Sequence, residues 1–372
     1  MPKSWDTLVS HDIFLSTLYL KALEEASPSN ITLYYIAIFK NETIVAALVL
    51  QRVTLYVKDM FRNNNDSSFR KRLKNIVSKF LKGHILVVGN LTHTGQHGFF
   101  KSDVISDSEF TETIFKSVNA VKQLIKTNRK KNIRLVLFKD YFKDDLLLKQ
   151  RQEFNHKGFY KVTVQPNMIM PITDNWSTFD DYIKSFNKKY LKRYKTARKK
   201  RRGIVCNEMD LEAIKNTSER MYSLYRTVSN NAKFNTFILP ENHFVVYKTQ
   251  LRDRFKVFGY YLNGKLIGFY TLILNYNGDL ETYFLGYDKT YQYTNQLYLN
   301  MLYDMVQFGI ENHFKTIVYA RTAMAIKSSV GAKIYPMFMY IRHTNPFINV
   351  ILKPVFRLMN PKQDWEERHP FS

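Results

Sequence analysis

Apolar and polar positions alternate along this chain at two periods, and the changes between them mark its elements. Ile31–Lys40 and Thr43–Lys58 are β-rich runs separated by the turn Asn41-Glu42. Asp66–Lys82 reads as helix, His84–Asn90 as a buried strand, and Ser108–Lys126 as a helix with Phe110, Ile114, Phe115, Val118, Val121, Leu124 and Ile125 on one face. Ile133–Lys139 is a strand, Leu146–Phe154 a helix ending near Gly158, and Val162–Met170 a closing strand. A hinge is expected near Pro166–Asn175. Beyond it come helices at Phe179–Arg202, Leu211–Thr227 and Pro240–Arg252. Three β runs follow at Phe255–Leu262, Leu266–Tyr276 and Leu280–Tyr287. The chain then reads as helix Asn295–Asn312, strand Thr316–Tyr319, helix Thr322–Val330 and strand Tyr335–Arg342.

The halves repeat one order. Tyr34–Leu50 and Val257–Leu272 both read strand, Asn-led turn, aliphatic strand. Each half later carries a strand and a helix that ends in glycine, at Gly158 and Gly331. The pattern predicts a mixed α/β protein of two related domains, residues 1–170 and 171–372, the second entered by a basic helix at 179–202.

Composition narrows the function. Of 372 residues, 45% are hydrophobic and 13 are Gly, which excludes wholesale disorder and collagen-like repeats. The single Cys206 excludes an intramolecular disulfide and a cysteine-based zinc cluster. The longest aliphatic run, Ile44–Leu50, is far short of a membrane span, and the first residues lack a signal-peptide pattern, so a cytoplasmic protein is expected. Net charge is +24, from 56 Lys and Arg against 32 Asp and Glu. That balance favours polyanionic partners, although an AT-rich coding sequence explains abundant lysine equally well. Local clustering is therefore the better guide. Lys188–Arg202 holds ten cations in fifteen residues and no anion, with Tyr182, Phe186, Tyr190 and Tyr194 as an aromatic stripe. Like charges at that density repel unless a phosphate-bearing ligand relieves them.

The second half resembles the GNAT superfamily of acyltransferases: hairpin Phe258–Leu274, strand Leu280–Gly286, helix Tyr293–Asn312, then Thr316–Ala320 and the stretch Ala320–Ala332. That stretch matches the family's Asn-x-x-Ala-x-x-x-Tyr-x-x-x-Gly-Phe helix, with Ala323 in the Ala place, Lys327 in the Tyr place and Gly331 in the Gly place. The tandem order, the basic entry helix and the tail Trp365–Phe371 resemble its FemAB-like branch. The resemblance implies transfer of an acyl or aminoacyl group to an amine. The donor expected first is acyl-CoA, with an acyl carrier protein or aminoacyl-tRNA as the alternatives. After Gly286 the family's Gly-rich pyrophosphate loop is missing, because the chain reads YDKTYQYTNQ.

Candidate chemistry follows from these positions. Glu281 and Tyr283 share strand parity and, with Lys327 and His343, are the expected acid/base groups. Gly286, Lys289, Thr294 and Asn295 are expected around a donor phosphate at a helix start, joined by Arg193, Arg198 and Arg321. Arg342, Arg368 and His369 complete a cationic C-terminal set. In Gly89–Phe99, residues Thr94, Gly95, Gln96 and His97 form a backbone-demanding loop facing a cleft between the domains. His93 and His97 are four apart, but Gly95 between them and the absence of acidic neighbours argue against a metal, and none is expected. Peripheral membrane contact is compatible with the charge. The competing class is a non-catalytic nucleic-acid or envelope-precursor binder on the same fold.

Overall fold

The computed structural model describes residues 1–55, 83–231, 235–358 and 365–371. The helix expected at Asp66–Lys82 and the end of the strand at 56–58 lie outside the described residues. The elements are α1 (Trp5–Leu8), α2 (Thr17–Glu25), β1 (Ile31–Lys40), β2 (Thr43–Leu55), β3 (Gly83–Val88), β4 (Phe99–Lys101), α3 (Asp107–Arg129), β5 (Ile133–Tyr141), α4 (Leu146–Lys149), α5 (Arg151–His156) and β6 (Tyr160–Pro171). The second half has α6 (Phe179–Lys184), α7 (Lys188–Lys200), β7 (Ile204–Glu208), α8 (Leu211–Asn216), α9 (Ser218–Ser229), α10 (His243–Leu251), β8 (Phe255–Leu262), β9 (Lys265–Leu274) and β10 (Asp279–Tyr287). It ends with α11 (Lys289–Thr294), α12 (Leu297–Glu311), β11 (Thr316–Val318), α13 (Met324–Ser328), β12 (Lys333–His343) and α14 (Pro346–Leu358).

The strands form one mixed sheet in the order β1-β2-β3-β5-β12-β6-β11-β10-β9-β8-β7, with β4 beside β2. The halves repeat: a hairpin (β1–β2, β8–β9) feeds a third strand (β3, β10), which pairs in parallel with a fourth (β5, β11). Both hairpin turns place consecutive residues at positive φ, Asn41 and Glu42 in the first, Asn263 and Gly264 in the second. Turns of that hand match the twist of the flanking strands. The closing strands cross over: β12 pairs with β5, and β6 pairs with β11 and β12. The boundary expected at 170/171 therefore falls inside a strand that bonds to the second half.

Two predicted helices are divided. Asn187 accepts a bond from the Tyr190 amide and starts α7, which separates it from α6, and Thr217 separates α8 from α9. The tail closes the α6–α7 break: the Asn187 amide donates to the Pro370 carbonyl at 2.9 Å, and the Phe371 ring stacks on Phe186. Gly331, at φ +106, lies where a Cβ would sit 2.5 Å from that ring. The N-terminal helices bridge the halves, since Trp5, Phe14 and Tyr19 share a core with Tyr247, Phe255 and Phe269. Among the described residues no helix is long and apolar enough to cross a membrane.

Candidate active site at the fork of β10 and β11

The sheet splits at one place in the second half. β10 and β11 pair only at Asp279–Thr316, Leu280–Ile317 and Glu281–Val318. Beyond these, β10 stays with β9 through Tyr287, while Tyr319 and Ala320 keep bonding to Met168. Each strand thus follows its outer neighbour, and a wedge opens between them. At the same point β10 carries one extra residue: Thr282 faces Leu272 and Leu285 faces Tyr270, so three steps on β10 match two on β9. Such a bulge turns backbone groups out of the ladder. Tyr283, Phe284 and Leu285 are consecutively half-buried, whereas Leu280, Glu281 and Thr282 are buried. A regular strand would alternate. In the first half β3 and β5 stay paired from His84 through Val88, so the fork belongs to the second half.

At the inner end of the fork sits a buried polar cluster drawn from both halves. Glu281 Oε2 is 3.4 Å from His93 Nε2, and Glu281 Oε1 is 3.9 Å from His97 Nε2. Neither His93 Nε2 nor Glu281 Oε2 has a hydrogen-bond partner, although both are fully buried. His97 Nδ1 lies 2.7 Å from Asp12 Oδ2, and Asp12 Oδ1 accepts the Phe14 amide. Burial, reinforced by Asp279 and Asp12, holds the Glu281 carboxyl well above the usual range. Burial, with His97 and Lys139 nearby, holds His93 well below the usual imidazole value. Burial works to raise Asp12, but His97 beside it prevails and its pKa falls. Next to the cluster, Asp140 is shared by Lys139 (2.5 Å), by Arg321 and by the Gly95 amide (3.4 Å).

The other expected residues distribute differently. Tyr283 lies beside Glu281, but its ring stacks with His243 and Tyr247 and its hydroxyl is buried, so it builds the wall of the site. Lys327 does not reach the cluster as a proton donor. Its Nζ donates to the carbonyls of Tyr319 (2.5 Å), Ala320 (3.2 Å) and Arg321 (2.7 Å), capping the strand where it leaves the fork. Burial pulls its pKa to about 7, while those three acceptors favour the charged form. Arg321 is committed to Asp140 rather than free for a ligand, and burial brings it to about 10. His343 is not part of the site. It pairs with Leu135, five residues along β5 from Asp140, or roughly 16 Å at strand spacing. Its ring accepts the Asn345 amide at 3.0 Å. Arg342 stays with it on β12, and the Arg368 amide bonds Ser328 Oγ, so the cationic C-terminal set does not converge.

The expected phosphate group also resolves into structural roles. A Cβ at Gly286 would run into the backbone of Leu224 and Tyr225, so this glycine lets α9 lie against β10. Lys289 Nζ bonds Asn231 Oδ1 (2.8 Å), Thr294 Oγ1 bonds the Thr290 carbonyl (3.1 Å), and Asn295 Nδ2 bonds the Lys200 carbonyl (2.9 Å). The residue before α12 is Gln296, at φ 47, and the Tyr298 amide is taken by the Gln292 side chain. In the 94–97 loop, Gln96 Oε1 accepts from Gly98 and Phe99, Gly95 adopts φ +112, Thr94 is half-buried, and His97 alone reaches the cluster.

The basic helix has an anion after all, supplied from α12. Asp304 receives Arg198 at 2.6 Å, Arg201 at 2.8 and 2.9 Å, and the Tyr260 hydroxyl. Arg193 is half-buried and lowered by burial with Arg368 nearby. The outward face keeps Lys188, Lys192, Lys195 and Lys199, which line a groove of about 360 Å³ with Leu191 and Thr196. A second groove of about 510 Å³ lies between Trp176, Lys184 and Lys333. Neither is lined by a residue of the Glu281 cluster.

No protein-family model matches the chain, and no curated protein matches its sequence. Solved structures do. The chain superposes on FemX with a TM-score of 0.58 and 12% identity, covering 94% of this chain and 98% of that one. It also aligns with L-PGS from Bacillus licheniformis (TM-score 0.46, 11% identity, 91% and 95% covered). A third match is a tandem GNAT protein from the clavulanic acid biosynthesis pathway (TM-score 0.46, 8% identity, 89% of each chain). The chain has the fold of FemX. In this chain the fork lies in the second lobe, while the buried cluster at its end takes His93, His97 and Asp12 from the first.

Proposed function

We propose that this chain is a GNAT-type N-acyltransferase that moves an activated acyl or aminoacyl group to an amine. The observation that carries the reading is the fork: β10 leaves β11 after three pairs and bulges there, freeing backbone groups on a central strand. Donor amides fixed in that way are suited to polarising a carbonyl, because no reorganisation is needed as charge develops on its oxygen. The reaction forms a C–N bond and breaks the C–O or C–S bond to the carrier. The N–H proton ends on the leaving oxygen or sulfur, and the ammonium proton lost beforehand goes to the polar cluster or to water. Catalysis then rests chiefly on holding amine and carbonyl together.

The donor's phosphates fit the lysine face of α7 better than the start of α12, where Gln292 already occupies an amide. This favours a phosphate-rich carrier, an acyl-carrier arm or aminoacyl-tRNA, over free acyl-CoA. The test is single-turnover transfer from labelled aminoacyl-tRNA, acyl-carrier and acyl-CoA donors to a broad amine panel. Transfer from a carrier-borne donor is expected. No transfer from any donor would overturn the reading in favour of a binding protein.

A further inference from the structure

The Glu281 cluster has an unexplained composition. Two imidazoles and two carboxylates meet at the junction of the lobes, from positions as distant as residues 12 and 281. One nitrogen and one oxygen, His93 Nε2 and Glu281 Oε2, are buried 3.4 Å apart, and neither makes a hydrogen bond. Burying polar atoms without a hydrogen bond is unfavourable unless something binds them. We propose that His93, His97 and Glu281 form a binding site for a divalent transition-metal ion, zinc being the best fit.

Four observations converge on this. The three ligand atoms lie within 4.8 Å of one another, so sub-ångström shifts bring them to the spacing set by metal bonds of about 2.0–2.2 Å. His97 has its Nδ1 held by Asp12 at 2.7 Å, which leaves Nε2 as the free lone pair. A carboxylate behind a ligating histidine fixes its tautomer and raises its basicity. Charge favours a cation as well: Lys139 and Arg321 set two positive charges against Asp140, so with Asp12 and Glu281 ionised these side chains, imidazoles apart, keep one net negative charge. Finally, the His97 side chain keeps 13% exposure, giving an ion a way in.

Two histidines and one carboxylate leave a coordination position open, which is the arrangement of reactive rather than closed structural zinc sites. On the acyl-transfer reading, on which this role but not the metal site itself rests, a metal at the inner end of the fork would hold a bound hydroxide at ordinary pH, which takes the proton of an arriving ammonium and leaves the amine's lone pair free to attack. Calcium and magnesium are disfavoured by the two nitrogen ligands.

The experiment uses the full chain without an affinity tag. Elemental analysis of the purified protein, chelator stripping, and titration with Zn²⁺ against a chromophoric chelator give stoichiometry and affinity. Co²⁺ absorption reports the ligand geometry. One equivalent is expected, with tetrahedral-type Co²⁺ bands. His97→Ala should lower affinity at least 100-fold, Asp12→Asn 10- to 100-fold, and the exposed His156→Gln not at all. Because Glu281→Gln places an amide in a core position, the variant of the partly exposed His97 and the wild-type Co²⁺ spectrum carry the test should that variant not fold. Absence of a titratable equivalent overturns the site, as does an equivalent retained in a His93→Gln/His97→Ala double variant. Stoichiometric metal binding without acyl transfer would leave the site standing and refute only the acyl-transfer reading.

Discussion

Asp304 is the most informative single residue outside the fork, because two arginines of the basic helix depend on it. Its carboxylate takes Arg198 at 2.6 Å and Arg201 at 2.8 and 2.9 Å, as well as the Tyr260 hydroxyl. The three side chains expose only 11% (Asp304), 20% (Arg198) and 21% (Arg201) of their surface. Removing one member of a buried ion pair costs about 3–5 kcal/mol, because the partner charge stays desolvated. One-fifth exposure of the arginines reduces this to about 2–4 kcal/mol for Asp304→Asn, which keeps the shape and removes the charge. The assay is urea denaturation followed by tryptophan fluorescence, with hydrogen exchange of the Lys188–Arg201 amides as a local readout. Those amides should lose protection first. In the Arg198→Met/Arg201→Met background the same substitution should cost at least about 1 kcal/mol less. A cost below about 0.5 kcal/mol, or an equal cost in both backgrounds, would refute the claim that this pair docks the helix.

Gly286→Ala should destabilise the protein by about 2 kcal/mol or more through the collision with the α9 backbone, measured as a shift in urea midpoint. An effect on donor binding with unchanged stability would contradict that assignment. His243 is buried against Tyr247 and Tyr283, which brings its pKa down to about 3. The unfolded chain therefore takes up the proton first, and this stability is present above pH 6.5 and lost as pH falls. Between pH 7 and 5 the loss is about 2 kcal/mol, and His243→Phe should flatten the profile by that amount. An unchanged pH slope would refute it. Neutralising Lys192, Lys195 and Lys199 together to Gln should leave stability unaltered, since all three are exposed. In titrations with total tRNA it should lower the slope of log affinity against log salt by up to about 3. An unchanged slope would remove the polyanion reading of that face.

Much of the fold was legible because it is written locally. The hairpins at Asn41 and Asn263, the aliphatic strands and the helical stripe of Asp107–Arg129 each show within a short window. The exchange of β6 and β12 was not legible, since both strands read alike whichever lobe they join. The N-terminal helices and α14 also escaped the reading of the sequence. At the site, Glu281 was legible from its place on a central strand. Its partners were not: His93 and His97 had the right spacing, but the acids that complete the cluster, Asp12 and Glu281, lie far off in sequence. Arg198, Arg321 and Lys327 show the reverse failure. A cation in sequence advertises a ligand, whereas Asp304, Asp140 and three strand carbonyls had already claimed them.

The proposed acyl transfer depends on the backbone of β10 at the fork. Hydrogen-exchange mass spectrometry with and without a non-hydrolysable aminoacyl-tRNA or acyl-carrier analogue addresses it directly. Protection of the Tyr283–Leu285 amides upon analogue binding is the predicted result. Binding that protects other segments and leaves these three amides unchanged would contradict it.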